Sequence, residues 1–245
     1  MQRFLIDRHC IDGENVILQG EVVHQIRDVL RLRKGLWIAV FDEEGLEYTV
    51  MLDSVRKDRI SGTIESTRKR IATAVAITLY QALLKSDRFE FVLQKCTEIG
   101  VSGFVPVVCE RCVAGKPGAN KIQRWEKVIK EATEQSGRGT PPVLNPAIPF
   151  EDACRCAKGT SLIASTGHQS LSLREVIKPM SDINIFIGPE GGFTDSELES
   201  ARRHGMKEVS LGSNTLRAET AGLVASTVIL YECGGLDRTR RDVGW

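Results

Sequence analysis

The sequence predicts an α/β protein in two parts: a small β-barrel or curled sheet with one helix over residues 1–70, and a mostly parallel, helix-flanked sheet over residues 71–245. Three observations carry this. The first 70 residues hold short β-like runs separated by glycine and charged turns. From Ala74 onward the rhythm lengthens into strand-helix alternation with apolar strands, the pattern of a parallel sheet covered on both faces. Twice near the C-terminus an apolar run stops at a glycine turn and a helix begins at once.

The elements follow in order. Runs at 15–18 (NVIL), 36–42 (LWIAVFD), 47–55 (EYTVMLDSV) and 60–66 (ISGTIES) read as strands of the first part. Between the first two, Val23, Ile26, Val29, Leu30 and Leu32 fall near helical spacing and stop at Lys34-Gly35. A short basic linker is expected at 66–72. Then come a strand at VAITLYQAL, a helix from Asp87 to Ile99, a strand at FVPVVC and a helix from Lys121 to Gln135. Strands at SLIAS and INIFIG precede a helix over 195–204, a short strand at EVSLG and a last helix from about Ala218 to Glu232.

Composition narrows the function classes. With 33 basic and 32 acidic residues there is no global field of the kind that draws nucleic acid, so any basic surface is local. No apolar run approaches the ~20 residues that span a bilayer, and the first residues lack a signal-peptide core, so a cytoplasmic protein with no membrane partner is expected. Cys109 and Cys112 form a CxxC and Cys154 and Cys156 a CxC, without the second knuckle and turn chemistry of structural zinc; no metal site is expected. His9, His24, His168 and His204 show no paired-ligand spacing, and Ser161, Ser165 and Ser170 lack a Gly-x-Ser-x-Gly elbow. Trp37, Trp125 and Trp245 are isolated, unlike a stacking platform.

Local charge says more. Arg27, Arg31, Arg33 and Lys34 lie within eight positions against one Asp28, and Arg68, Lys69 and Arg70 form a second cluster. Such runs are either a solvated helix face and a polar linker, or a patch that contacts RNA phosphates without reading sequence.

The sharpest stretch is INIFIGPEGGFTDSELE, 183–199. Gly188 ends the strand, Pro189 fixes one backbone angle, and Gly191 and Gly192 permit positive φ or close approach of a ligand. Thr194 and Glu197 make a capping box that sets the helix start. A phosphate loop is excluded: GxxxxGK[ST] and GxGxxG are both absent, and Glu190 puts a carboxylate where a phosphate would sit. The turn is therefore either a bare strand-helix connection or the wall of a site whose ligand carries no phosphate there. The stretch EVSLGSNTLRAETAGLVAS, 208–226, repeats the pattern, with Leu211 and Gly212 ending the strand and Arg217, Glu219 and Thr220 at the helix start. In an open parallel sheet such turns share the ligand-binding edge. Ala218, Ala221, Gly222, Ala225 and Ser226 give the last helix a small-residue face, which suits either helix-sheet packing or a subunit interface.

IGPEGGFTDSELE and LGSNTLRAETA, with LLKSDRFEFVLQKCTEIGV and EQSGR, resemble the signature segments of the RsmE family of 16S ribosomal RNA uridine-N3 methyltransferases, of the SPOUT class. The likeness runs in order through almost the whole chain, and residues 1–70 resemble that family's PUA-like RNA-binding domain, including RFLI and HQIRDVLRLRKG. It implies an N-terminal PUA-like β-barrel followed by a SPOUT α/β methyltransferase domain with a C-terminal trefoil knot. It further implies S-adenosylmethionine as cofactor, 16S rRNA within the small ribosomal subunit as partner, and a homodimer through the knotted domain, a role that the small-residue face suits.

Carried over by position, the resemblance puts Ser165, Thr166, Ile187, Gly188, Pro189, Glu190, Gly191, Leu211, Gly212, Leu216, Arg217, Thr220 and Ala221 at the cofactor. Asn214 and Thr215 stand where the family commonly has Arg and an aliphatic residue. N3 of uridine is a weak acid that must lose its proton, so a base or a stabiliser of the anion is needed. Arg138 is the candidate stabiliser, and Glu219 and Glu190 are the candidate proton acceptors. Arg3, Arg27, Arg31, Arg33, Lys34, Lys85, Arg88 and Arg138 are the candidate RNA contacts. The other reading is an RNA-binding assembly factor with a degenerate pocket.

Overall fold

The structure, a computed structural model, describes residues 1–69, 75–167, 170–177 and 182–236. It forms two compact units, one of residues 1–72 with 133–141, the other of residues 73–132 with 142–245.

The first unit is built on a six-stranded sheet. Its strands are β1 (Gln2–Leu5), β2 (Ile11–Asp12), β3 (Asn15–Gln19), β4 (Trp37–Phe41), β5 (Leu46–Val55) and β6 (Arg59–Lys69), in the order β1-β4-β5-β6-β3-β2. All pairs are antiparallel except β1 with β4. Period-two alternation drives it: Val16 and Leu18 of β3 and Ile38 and Val40 of β4 turn into one core with Phe4, Leu52 and Ile60. The expected linker at 66–72 is corrected for its first half. Residues 66–69 continue β6, pairing with Leu46 to Thr49, and Arg68 binds the nearly buried carboxylate of Glu47. The short N-terminal strand β1 escapes periodicity because four residues give it only two alternations; parallel pairing with β4 holds it. The Leu5 amide also donates to Glu134 Oε1 at 2.9 Å.

The expected helix of this unit is shorter than its spacing suggests. An α-helical turn, α1 (Glu21–His24), widens into a π turn over Gln25–Val29, and Arg31 takes φ 54°, the left-handed position that usually needs glycine. The amide of Leu32 then reaches back to the Ile26 carbonyl at 2.9 Å, which closes the helix before the Lys34-Gly35 stop.

The second unit carries an all-parallel eight-stranded sheet. Its members are β7 (Ala76–Ala82), β8 (Gly103–Val108), β9 (Val143–Leu144), β10 (Ile148–Pro149), β11 (Thr160–Ala164), β12 (Leu171–Ser172), β13 (Asp182–Ile187) and β14 (Lys207–Ser210). The order is β10-β8-β7-β13-β11-β14-β12, with β9 also on β8. Helices α2 (Ser86–Ile99), α3 (Ala119–Ser136), α4 (Phe150–Cys156), α5 (Leu173–Val176), α6 (Asp195–Arg203) and α7 (Ala218–Glu232) connect and cover it. Alternation splits the strands between two cores. Leu79 and Ile185 join α2, α3 and α7 on one face, while Tyr80 and Phe186, stacked at 4.2 Å, join α4 and α6 on the other. The strands are apolar on both faces because both faces are covered.

The small-residue face of α7 is settled within this chain. Ala218, Ala221, Gly222, Ala225 and Ser226 are buried, and a Cβ on Gly222 would stand 2.7 Å from Gln81 Oε1 of β7. This face packs on the chain's own sheet and on α2. Among the described residues no helix is long and apolar enough to cross a membrane. His168, Trp245 and residues 70–72 of the expected linker lie outside the described residues.

Candidate functional site

Three adjacent strands, β13, β11 and β14, end at the same edge of the second sheet. The loops that leave them line a single cavity of about 640 Å³, within the roughly 300–1,000 Å³ usual for small-molecule and cofactor sites. The end of β11 supplies Ala164–Gly167, the end of β13 Ile187–Phe193, and the end of β14 Ser210–Gly212 with Asn214–Arg217, which lead to Ala218 and Ala221 of α7.

Each wall has a local cause. In the loop after β13, Gly192 takes φ 69° while Gly188 sits where a Cβ would crowd the Phe193 ring at 3.2 Å. Thr194 then caps α6: its side chain accepts from the Glu197 amide, and Glu197 Oε2 accepts from the Thr194 amide at 2.8 Å. That is the capping box the sequence specifies. Gly212, φ 120°, turns the chain after β14. Ser165 braces the third wall, donating to Glu208 Oε2 at 3.1 Å, while Arg202 Nε holds the other Glu208 oxygen at 2.6 Å.

Three arginines, Arg88, Arg111 and Arg217, border the cavity, and the first two have partners that fix them. Arg88 Nη1 donates to Glu190 Oε1 at 3.2 Å and its Nε stands 4.0 Å from Glu219 Oε1. Arg111 Nη1 donates to the carbonyls of Gly191 at 2.8 Å and Phe193 at 3.3 Å. A Cβ on Gly191 would meet the Arg111 side chain at 3.3 Å, so this glycine serves close approach of Arg111 rather than positive φ.

Of the residues expected at the cofactor, all but Thr220 line the cavity. Glu219 stands just outside it, on Arg88, with its Oε2 buried and without a hydrogen-bond partner. Lys85, exposed ahead of α2, is not part of the lining. Arg138 belongs to the first unit, where its Nε donates to the Thr140 carbonyl at 2.7 Å and burial pushes its guanidinium down to about 10. Arg3 is in that unit too, against Gly137, where its Nη1 would lie 2.7 Å from a Cβ. Arg27, Arg31, Arg33 and Lys34 meet around a separate concavity of the first unit. There Arg27 is held by Asp28 through two 2.7 Å bonds.

Sequence reasoning missed Arg111, Phe193, Asp195 and Leu198 in the lining. The signal was available for the first: Arg111 follows the strand FVPVVC at the same carboxyl edge where the ligand loops gather. Leu198 and Phe193 needed the helix α6 to be placed over the loop.

The chemistry of this lining fits S-adenosylmethionine. Ile187, Leu211, Leu216 and Ala221 offer aliphatic walls for an adenosine, and glycine-rich main chain supplies hydrogen-bonding edges. Arg88, Arg111 and Arg217 can face a carboxylate, while Glu190 and Asp195 can face an amino group.

Residues 72–230 match the family model of the RNA methyltransferase domain. A ribosomal RNA small subunit methyltransferase E of Rickettsia conorii is 33% identical over 228 residues, covering 91% of this chain and 92% of that protein. One of Bacillus subtilis is 31% identical over 248 residues, covering 95% and 97%. The crystal structure of a ribosomal RNA small subunit methyltransferase E from Neisseria gonorrhoeae bound to S-adenosylmethionine superposes with a TM-score of 0.88 at 33% identity, covering 94% of this chain and 97% of that one.

Proposed function

The chain belongs to the RNA methyltransferase family, among the enzymes named ribosomal RNA small subunit methyltransferase E, and from that premise we propose that it methylates N3 of a uridine in 16S rRNA. It is an S-adenosylmethionine-dependent methyltransferase. The observation that carries the reading is the cavity formed where β13, β11 and β14 end together, walled by aliphatic side chains and glycine main chain and free of a phosphate loop.

S-adenosylmethionine, when bound, supplies an electrophilic methyl group on its sulfonium. Ile187, Leu211 and Leu216 would hold its adenosine against aliphatic walls. Arg111 keeps the loop after β13 in place through its two carbonyl bonds. Uridine N3 must lose a proton before it can attack, and Glu219 or Glu190 takes that proton. Glu219 offers the buried oxygen without a hydrogen-bond partner; Glu190 stands at the mouth on Arg88. Arg138 is assigned to uridine O2 or O4, where its charge spreads the developing anion. The target base has to leave its stack to be reached.

The remaining assignments belong to the same proposal. Residues 1–70 act as a PUA-like RNA-binding barrel, with Arg3, Arg27, Arg31, Arg33 and Lys34 on phosphates and Lys85 and Arg88 on RNA from the catalytic domain, residues 71–245. The C-terminal chain forms a trefoil knot. The enzyme is a homodimer through the knotted domain, and since the small-residue face of α7 is used inside the chain, the outward Val224, Thr227 and Tyr231 are the surface offered to a second copy. The work is cytoplasmic, on the decoding region of the small subunit.

The test is transfer of labelled methyl from S-adenosylmethionine to small ribosomal subunits, with mass mapping of 16S rRNA. Expected is one added methyl at uridine N3. No binding of S-adenosylmethionine and no transfer, with RNA binding retained, would leave the assembly-factor reading instead.

A further inference from the structure

Beside the cavity, and unused by the chemistry above, two cysteines bracket the turn that holds its glycine-rich wall. The Cys112 amide donates to the Cys109 carbonyl at 3.1 Å, closing a four-residue turn with Glu110 and Arg111 at its centre. The Cys109 amide in turn donates to Cys112 Sγ at 3.3 Å, which folds the second thiol back over the first residue. A turn of this kind keeps its end Cα atoms within about 7 Å, and a disulfide asks for roughly 4.4–6.8 Å. Both cysteines are free thiols.

The two central residues reach the cavity wall. Arg111 donates to the Gly191 and Phe193 carbonyls. The Glu110 amide donates to Glu197 Oε1 at 2.9 Å, and Glu110 Oε2 accepts from Thr194 Oγ1 at 3.1 Å. The loop after β13 and the cap of α6 are thus both fastened to the turn that the two cysteines close.

We propose that Cys109 and Cys112 are a redox-active dithiol, a modification site for hydroperoxides, and that closing it to a disulfide re-aims Arg111 and Glu110 and lowers the affinity of the cavity for the methyl donor. The affinity effect rests on reading that cavity as the S-adenosylmethionine site. Cys112 is the partly exposed partner and Cys109 is only 5% exposed, so a peroxide meets Cys112 first. The hydrogen bond from the Cys109 thiol holds the Cys112 thiol down at about 7, while that bond and burial push Cys109 up. A lowered, accessible thiol with a neighbouring resolving thiol is the arrangement of a redox-sensitive pair. Cys154 lies in the same apolar cluster, but burial pushes its thiol up to about 12, which leaves it unreactive.

The step balances. The Cys112 thiolate attacks one peroxide oxygen, the O–O bond breaks, and the departing hydroxide takes a proton to become water. Cys112 is then a sulfenic acid. The Cys109 sulfur attacks the Cys112 sulfur, the S–O bond breaks, and the Cys109 proton leaves with the hydroxide as a second water. Two thiols lose two electrons and one hydrogen peroxide gains them.

Full-length protein treated with hydrogen peroxide should yield, on digestion without reductant, a fragment in which Cys109 and Cys112 are joined and two hydrogens are lost. Its dissociation constant for S-adenosylmethionine by calorimetry should rise about tenfold, the factor that 1.4 kcal/mol represents, and dithiothreitol should restore it. Cys112→Ser should bind S-adenosylmethionine as reduced wild type does and ignore peroxide; if that variant does not fold, the wild-type comparison decides alone. Oxidation confined to Cys156, or a Cys109–Cys112 disulfide with unchanged affinity, overturns the proposal. Reduced protein that does not bind S-adenosylmethionine refutes the cofactor reading instead, and the mapped disulfide is scored independently of it.

Discussion

Arg88 of α2 and Glu190 of the loop after β13 are joined across 102 residues of sequence by a 3.2 Å hydrogen bond. The same guanidinium faces Glu219 at 4.0 Å, so one cation stands between both carboxylates offered as proton acceptors. The arginine and Glu190 are 38% and 33% exposed. Exposed pairs are worth only about 0–1 kcal/mol, so loss of the Glu190 pair in Arg88→Ala should shift the urea midpoint little, with a further small cost from unpairing the less exposed Glu219. Methyl transfer should fall about tenfold or more, a barrier rise of ~1.4 kcal/mol, because two carboxylates would be left uncompensated beside the cavity. Wild-type transfer by this variant would remove Arg88 from the site's chemistry.

The glycines of the loop after β13 separate packing from backbone freedom. At Gly188 a methyl group would press on the Phe193 ring, which itself packs on Phe150 at 5.3 Å. Gly188→Ala should cost about 1–3 kcal/mol as overpacking and weaken S-adenosylmethionine binding. At Gly192 there is open space but φ is 69°, so Gly192→Ala should cost only about 1–2 kcal/mol of left-handed strain and disturb the wall less. Calorimetry on both variants gives the order; tighter binding by the Gly188 variant would contradict the packing account.

The concavity of the first unit predicts a salt dependence. Hydrogen bonds from Arg27 and then His24 hold the Asp28 carboxyl at about 2, below its ordinary 3.8. A depressed carboxyl keeps its interactions above the ordinary value and loses them as pH falls from about 4 through 2, so the Arg27–Asp28 pair is intact at neutral pH. Asp28→Asn should free Arg27 and steepen the slope of log K against log salt for single-stranded RNA by about 0.7, while Lys34→Ala should flatten it by the same amount. Equal slopes for all three proteins would show that this patch does not touch phosphate.

Arg138 is expected to act on substrate alone. It does not line the cavity, and its guanidinium, lowered to about 10 by burial, is still cationic at neutral pH. Arg138→Ala should therefore bind S-adenosylmethionine normally yet transfer methyl about 100-fold more slowly, the usual loss of one oxyanion-type donor. Unchanged single-turnover rates would exclude the role.

Much of this was legible in the residues. Strand-helix alternation located the long elements of the second unit, and the Thr194/Glu197 spacing fixed the start of α6. The two glycine turns were read as neighbours because strands of a parallel sheet present their loops at one edge, and β11 between β13 and β14 brings them into one cavity. What escaped depends on long-range geometry. Arg111 and Glu110 look like a charged turn until Gly191 and Thr194 arrive 80 and 84 residues later. The early stop of the helix before Arg31 follows from a π turn that side-chain periodicity does not encode. The inward use of the small-residue face of α7 turned on Gln81 and Leu79 beneath Gly222, partners that no local pattern names.

The position of β13 between β7 and β11 also sets a clock on synthesis. β7 ends at Ala82, but the strand that pairs with one of its edges begins at Asp182. At about 5–20 residues per second, that edge waits roughly 5–20 s for its partner. An uncovered strand edge is a template for pairing with other chains, so the nascent protein passes through an interval in which β7 is half-dressed and aggregation competes with folding. The cavity is later still, since its last wall, Ser210 to Ala221, is made after every other strand of the sheet. The methyl donor can therefore act only once the whole sheet has been made, and it stabilises the folded state without guiding the chain towards it.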